Sequence, residues 1–512
     1  MIAARPIGGR RRRTLAGICS LPALLVAIGG STLGESVAGG ANGVERPNII
    51  VVMTDDQRAD DLFVMKRTRR QLLKRGTTFE NSFATMPVCC PSRASLLTGQ
   101  YAHNHGVTSN LAVTGGGFLG FQDEGALPQA LQQAGFRTAW IGKYLNGYED
   151  RARKKPSFKP AGWSKWFASI KSKMYDWVLN RNGRLQRFKR RTSDYQTDVL
   201  ARIASRFIRT SATRDKPFFM TVAPLAPHGE SDRQGMRNPR PARRHRGALQ
   251  GLTWDAPPSF NEEDLSDKPS FLQKAPLSPE AAGRFATIRR NRLESLLAVD
   301  DLIGGLFAAL RETGELDRTY VVFTSDNGLL LGEHRRGGKR VLFEETARVP
   351  LVVRGPGVPA GVSREQLAAN IDIAPTLLDA AGVEPLRAPD GASLLPLAAD
   401  PGVAANRELL LSHNSAAIRG ATFPEPWNTE ALRTPGHVYA EHAVGDGREY
   451  ELYDVGPDSP GYDPFQLENL LDPQTGKPRV EGDQQAIRDL RDTLAGRLAA
   501  LRGCAGDECR GG

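Results

Sequence analysis

Asn48-Ile49-Ile50-Val51-Val52-Met53-Thr54-Asp55-Asp56-Gln57 decides how this chain of 512 residues is read. Ile49 to Met53 is apolar without alternation, which marks a strand buried on both faces, as in a parallel sheet with helices on either side. The run ends in two carboxylates. The carboxyl end of such a strand is the ligand crevice of an open α/β sheet, so Asp55 and Asp56 are candidates to hold a hard divalent cation through oxygen. An aspartate at a helix N-cap would leave the same trace.

Outward from this strand the pattern recurs. Residues 136–141, 218–223, 319–324 and 350–354 read as further strands, separated by helical stretches at 125–134, 198–208, 284–313 and 370–382. Three of these strands also end in reactive groups: Lys143 after the second, His228 after the third, Asp326-Asn327-Gly328 after the fourth. Lys339 follows on a loop with Gly337 and Gly338. The alternation predicts an α/β fold with a large, mostly parallel central sheet flanked by helices. Beyond about residue 385 the pieces shorten, with strands near 438–443 and 448–454 and a helix at 483–501, which predicts a smaller C-terminal α+β subdomain. The expected division is a catalytic domain over 45–385, the subdomain over 386–503 and a tail over 504–512.

Pro87-Val88-Cys89-Cys90-Pro91-Ser92-Arg93-Ala94-Ser95-Leu96-Leu97-Thr98-Gly99 contains the pattern C-x-P-S-R. Proline suits a first helical turn, so Cys89 is expected just before a helix N-terminus, where free N–H groups and the helix dipole attract anions. Arg93 adds a planar cationic fork. The arrangement suits chemistry on an anionic ester, while a buried cysteine pair at a loop–helix junction is the plainer alternative.

The net charge is +11, placed unevenly: residues 151–191 hold fourteen Lys or Arg against the single acid Asp176. That segment reads either as an attractor for a polyanionic substrate or as a solvated basic insertion, with a hairpin around Asn182-Gly183. No nucleic-acid-binding motif accompanies the charge. Residues 229–279, rich in Pro, Arg and Ser, read as a long surface excursion that shapes a substrate site. At the N-terminus, Arg5 and Arg10 to Arg13 precede an uncharged stretch and Ser36-Val37-Ala38, so residues 1–38 read as a removable export signal. No later stretch is long and apolar enough for a stable membrane span. Cys504 and Cys509 are candidates for a small disulfide loop in an exported protein, or two free thiols.

Taken together, PNIIVVMTDDQ, CCPSRASLLTGQYAHNHGV, GFRTAWIGKYLNGY, APHGE, TSDNG and GGKRVLFEETARVPLVVRGPG resemble the formylglycine-dependent sulfatases of the alkaline phosphatase superfamily, most of all the N-acetylglucosamine-6-sulfatase branch. The resemblance implies an alkaline phosphatase-like fold. It implies that a maturation enzyme oxidises Cys89 to formylglycine, whose hydrate attacks sulfur and then expels sulfate through its second hydroxyl. It also implies a divalent cation, expected to be calcium, on Asp55, Asp56, Asp326 and Asn327. Lys143, His228 and Lys339 would neutralise sulfate oxygens, His228 or Lys339 would protonate the leaving alcohol, and Arg93 would hold the gem-diol. Two positions depart from the family: Asn327 stands where some relatives have histidine, either of which can ligate, and Leu145 stands where many sulfatases have histidine, with Asn146, His103 or His105 as candidates to cover its role. His334 is a candidate substrate contact, though a structural role is favoured, and Asp60-Asp61 reads as a helix start.

The expected activity is hydrolysis of a sulfate ester on a sugar, a glycosaminoglycan or an aryl alcohol. Two alternatives remain open on the sequence: a phosphodiesterase or phosphonate monoester hydrolase on the same scaffold, and a non-catalytic polyanion binder. Nothing in the sequence sets an oligomeric state.

Overall fold

Alternate side chains of the strand Asn48–Thr54 (β1) enter two separate apolar layers, which is why Ile49 to Met53 carries no polar residue. In the computed structural model, which describes residues 46–111, 116–170, 173–232, 235–403, 406–414, 427–479 and 483–510, β1 lies near the middle of a ten-stranded sheet. The expected export signal, 1–38, lies outside the described residues. The other strands of this sheet are Thr77–Phe79 (β2), Arg137–Gly142 (β3), Lys165–Ser169 (β4), Trp177–Arg181 (β5), Arg184–Phe188 (β6), Phe218–Ala223 (β7), Thr319–Ser325 (β8), Leu351–Arg354 (β9) and Val362–Arg364 (β10).

Their order is β10-β2-β9-β8-β1-β7-β3-β4-β5-β6. The central five, β8-β1-β7-β3-β4, run parallel. Both flanks turn antiparallel, at β8–β9 and again at β4–β5 and β5–β6. The sheet is therefore mixed, with the expected parallel arrangement at its centre. At the outer flank the reversal is local: β5 and β6 are joined by Asn182 and Gly183 alone, both with positive φ, as a type I′ hairpin turn requires.

Helices cover both faces. Cys89–Thr98 (α1), Leu127–Gln133 (α2) and Ile373–Ala381 share one apolar cluster with Ile49, Val51 and Met53. Gln196–Ser211 and the 34-residue helix Pro279–Glu312 share the other with Ile50 and Val52. In chain order these last three are α3 (Gln196–Ser211), α4 (Pro279–Glu312) and α5 (Ile373–Ala381). The start of α4 is set by Ser278, whose hydroxyl accepts from the Ala281 N–H, with Pro279 in the first turn.

The basic segment supplies β4, β5 and β6. Arg184 and Arg187 stand exposed on β6, the outermost strand, where charge discourages pairing with another sheet edge.

A second, antiparallel sheet carries the C-terminal part: Leu409–Asn414 (β11), Trp427–Arg433 (β12), His437–Val444 (β13) and Gly447–Asp454 (β14). Helix Gln484–Leu501 (α6) packs on it through Leu494, Leu498 and Leu501, and the same cluster takes in Phe83, Tyr101 and Ile371 from the first part of the chain. Cys504 and Cys509 form a disulfide. That loop is tied down: the Cys504 carbonyl accepts from Asn104 at 2.9 Å and lies 2.9 Å from His103 Nε2, while Asp390 accepts from the Gly506 N–H at 2.8 Å and from the Tyr101 N–H at 2.7 Å. No described helix is long and apolar enough to cross a membrane.

Candidate active site

The carboxyl ends of β1, β7, β3 and β8 are adjacent in the sheet, so the groups that follow them in sequence meet at one edge. Cys89 opens α1 at the same place. Its Sγ lies 3.5 Å from Asp55 Oδ1, 4.0 Å from Asp56 Oδ1 and 2.8 Å from Lys339 Nζ. Lys143 Nζ sits 2.6 Å from Asp55 Oδ2, and His228 Nε2 sits 3.5 Å from Asp56 Oδ2. All nine residues expected at the site are brought together: Asp55, Asp56, Cys89, Arg93, Lys143, His228, Asp326, Asn327 and Lys339.

Arg93 is fully buried and orders the centre. Its Nε and Nη2 hold Asp326 Oδ2 at 2.9 and 2.8 Å, and Nη1 donates to the Lys143 carbonyl at 2.8 Å. Asn327 Nδ2 donates to Asp56 Oδ1 at 2.7 Å, and the Asp56 N–H donates to Asp326 Oδ1 at 3.0 Å. His228 Nδ1 faces the Gly229 carbonyl at 2.6 Å, which makes it the donor and leaves Nε2 turned to the carboxylates.

The electrostatics follow from burial set against close partners. Burial by itself raises Asp55, but Lys143, His228 and Arg93 hold its carboxyl well below the usual carboxylate range. Burial and the neighbouring Asp55 push Asp326 up. Burial pushes the Cys89 thiol up to about 12 against the pull of Lys143 and Lys339, so an unmodified Cys89 is a protonated thiol and a weak nucleophile.

Asp55, Asp56, Asp326 and Asn327 offer oxygen donors only, the set that hard divalent cations such as calcium take. The Lys339 ammonium lodges against Asp56 Oδ1, 3.1 Å from Asn327 Oδ1, so these oxygens already turn toward a cation. Three carboxylates face three permanent cations, Arg93, Lys143 and Lys339. Adding a divalent ion makes the group net positive, which suits an anionic ligand.

The remaining candidates separate. Leu145 is 1% exposed and belongs to the apolar core cluster that also holds Trp140 and Tyr144. His105 is buried between Ser95 Oγ at 3.0 Å and the Val107 N–H at 3.1 Å, and His103 faces the Cys504 carbonyl, so both are occupied structurally. Asn146 keeps a buried side-chain oxygen with no hydrogen-bond partner. His334 is buried, stacked on Phe343 and 2.6 Å from Glu262, in line with the structural role. Asp60 and Asp61 lie in the short 3-10 helix Ala59–Val64.

Three supporting residues escaped the sequence reading. Asn110 accepts from the Cys90 N–H at 2.8 Å at the start of α1, and Asn370 donates to the Ser92 carbonyl and hydroxyl. Arg292 of α4 donates to the Asp56 and Pro227 carbonyls, joining the ends of β1 and β7. Its trace is in the sequence: it falls on the stripe Leu296, Val299, Ile303, Leu306 and Leu310, all buried, where a charged residue needs a partner.

The chain is similar to known proteins over most of its length. The family model described as Sulfatase matches residues 47–383. N-acetylglucosamine-6-sulfatase of Homo sapiens is 36% identical over 390 residues, covering 74% of this chain and 68% of that protein. A putative extracellular sulfatase Sulf-1 homolog of Caenorhabditis elegans is 36% identical over 69% of this chain, which spans only 49% of that relative's length. A solved structure described as a complex with its substrate D-glucosamine-2-N,6-O-disulfate superposes with a TM-score of 0.68 at 26% identity, over 89% of this chain and 98% of that one.

Proposed function

Because the chain belongs to the sulfatase family, we propose that it is a sulfuric ester hydrolase that removes sulfate from a sulfated sugar, such as N-acetylglucosamine 6-sulfate or a glycosaminoglycan carrying it. The observation that carries the reading is the convergence of Lys143, His228 and Lys339 with Cys89 around three buried carboxylates.

In this reading Cys89 is the precursor of formylglycine, whose hydrate supplies the attacking oxygen. A divalent cation, expected to be calcium, would be held by Asp55, Asp56, Asp326 and Asn327 and would polarise the sulfate. The protein's own groups do the rest. Lys143, His228 and Lys339 neutralise the sulfate oxygens as charge develops on them. His228 Nε2 or Lys339 Nζ delivers the proton that the leaving sugar oxygen needs. Arg93 keeps Asp326 and the Lys143 backbone in register with Cys89. Export through residues 1–38 and processing by a formylglycine-generating enzyme belong to the same proposal.

Two measurements test it together. Peptide mass spectrometry across Cys89 of protein from its native host is expected to find an aldehyde. The matured protein is expected to release sulfate from N-acetylglucosamine 6-sulfate and from an aryl sulfate. An intact thiol in active protein, or a matured protein that cleaves no sulfate ester, refutes the reading.

A further inference from the structure

Beside the catalytic centre lies a cavity of about 520 Å³, reached past Asp56, His228 and Lys339. It has the size of a small-molecule site rather than of a sulfate ion alone. One wall is apolar, with Phe285, Ile288 and Leu330. Another is cationic, with Lys274, Arg336 and Arg340, and Asp56 is the sole carboxylate among its described lining residues. Residues 151–191, the basic segment read either as a substrate attractor or as a solvated insertion, contribute nothing to the lining.

Lys274 and Arg336 both line the cavity, and the residue before Arg336 binds the Lys274 backbone. His334 and Arg335 both adopt positive φ, 49° and 55°, a costly conformation for two consecutive non-glycine residues. The turn is pinned on either side. His334 is held by Glu262, and Arg335 donates to the carbonyls of Glu262, Glu263 and Lys274 at 2.5–2.7 Å. This clamp fixes the Lys274 backbone next to the turn and projects Arg336 into the cavity, where Nη1 and Nη2 rest on the Phe271 carbonyl at 3.2 and 3.1 Å. Glu451, the carboxylate nearest in effect to Arg336, is engaged by His442 and Tyr453, and Lys274 has no ion pair among the described residues. Burial lowers Lys274, and the Arg336 charge lowers it further, the signature of two like charges facing one space. An arrangement of this kind is stabilised when an anion sits between the cations.

We propose that Lys274 and Arg336 form a second anion subsite, which reads a further negatively charged group on the same sugar substrate whose sulfate ester is cleaved. This rests on the sulfate-ester reading above and narrows it: the preferred substrate carries at least two anionic groups, the second being a sulfate, a sulfamate or a carboxylate.

The test uses the full chain with Cys89 matured, and four probes: an aryl sulfate, glucosamine 6-sulfate, D-glucosamine 2-N,6-O-disulfate, and a 6-sulfated glucosamine joined to a uronate. The first two carry no second anion, and the last two separate sulfamate from carboxylate. The parent protein is expected to favour one of the doubly charged sugars over glucosamine 6-sulfate by about tenfold or more in kcat/KM, the scale of a charge-assisted hydrogen bond. In Lys274→Ala and Arg336→Gln that ratio is expected to fall toward one through KM, with Arg336→Lys recovering part of it. Lys274 is exposed, so its variant keeps the fold, and unfolding curves check both. A parent protein that hydrolyses all the sugars with no such preference, or variants that keep the parent ratio, overturns the subsite. Failure of the parent protein on every sulfate ester overturns the sulfatase reading itself, and the subsite with it.

Discussion

Replacing Arg292 with methionine removes a guanidinium while keeping most of the unbranched stem, and its effect can be sized from the contacts. The side chain is buried and donates to two backbone carbonyls, those of Asp56 and Pro227. A buried polar group left without its partner costs about 1–3 kcal/mol, so two of them cost roughly 2–6 kcal/mol. Arg292 also lines the large cavity, and water entering there can satisfy part of the loss, which favours the lower half of that range, about 2–4 kcal/mol. A second effect falls on the metal site. Asp56 is held at a φ of 64°, a conformation an aspartate keeps only while its surroundings enforce it. With one restraint gone, the carboxylate is less well presented, and calcium affinity is expected to fall about 10- to 100-fold, the usual scale for losing a supporting contact behind a metal ligand. Urea unfolding with a chelator present measures the first quantity, and calorimetric titration with calcium measures the second. Arg292→Lys keeps one donor direction and is expected to restore part of both. A methionine variant within about 1 kcal/mol of the parent that binds calcium equally well would refute the role given to Arg292.

Three further outcomes are expected. Leu145→His puts an imidazole into the apolar core cluster that holds Trp140 and Tyr144, so stability drops by about 1–3 kcal/mol and sulfate release does not rise, as urea unfolding and turnover will tell. Removing divalent ions with a chelator abolishes sulfate release and lowers the melting temperature, because Asp55, Asp56 and Asp326 lose a shared counter-charge, and calcium restores both, whereas turnover that survives exhaustive chelation contradicts the ligand assignment. Changing Arg184 and Arg187 together to threonine uncovers the outer edge of β6 and promotes self-association, detectable by sedimentation, with little change on a small aryl sulfate.

The strands that carry the candidate site were legible because burial on both faces leaves nearly continuous apolar runs at Ile49–Met53, Phe218–Ala223 and Thr319–Thr324, and the candidate site residues follow their carboxyl ends. What escaped depends on three-dimensional neighbours. β2 and β10 are three residues long, too short for any period to show, yet they extend the sheet to ten strands. The contiguous charge of the basic segment left two readings open, a substrate attractor or a solvated insertion; its strands form an edge of the sheet and its arginines are not among the lining residues of the cavity beside the catalytic centre. Arg292 sits in a helix with Arg284, Arg289 and Arg290, and only the buried stripe distinguishes it from them. For His334 the sequence favoured a structural role over a substrate contact, and it stacks on Phe343 from a turn with positive φ.

The loop closed by Cys504 and Cys509 also orders events in time. Its carbonyl is bound by Asn104, made 400 residues earlier and only a few positions past the end of α1. During vectorial synthesis the turn behind Cys89 must therefore wait for almost the whole chain before its last hydrogen bonds can form. In the finished fold Cys89 is 2% exposed and Arg93 is sealed. Any enzyme that reads Cys89 to Arg93 as a linear peptide has its opportunity before folding buries them.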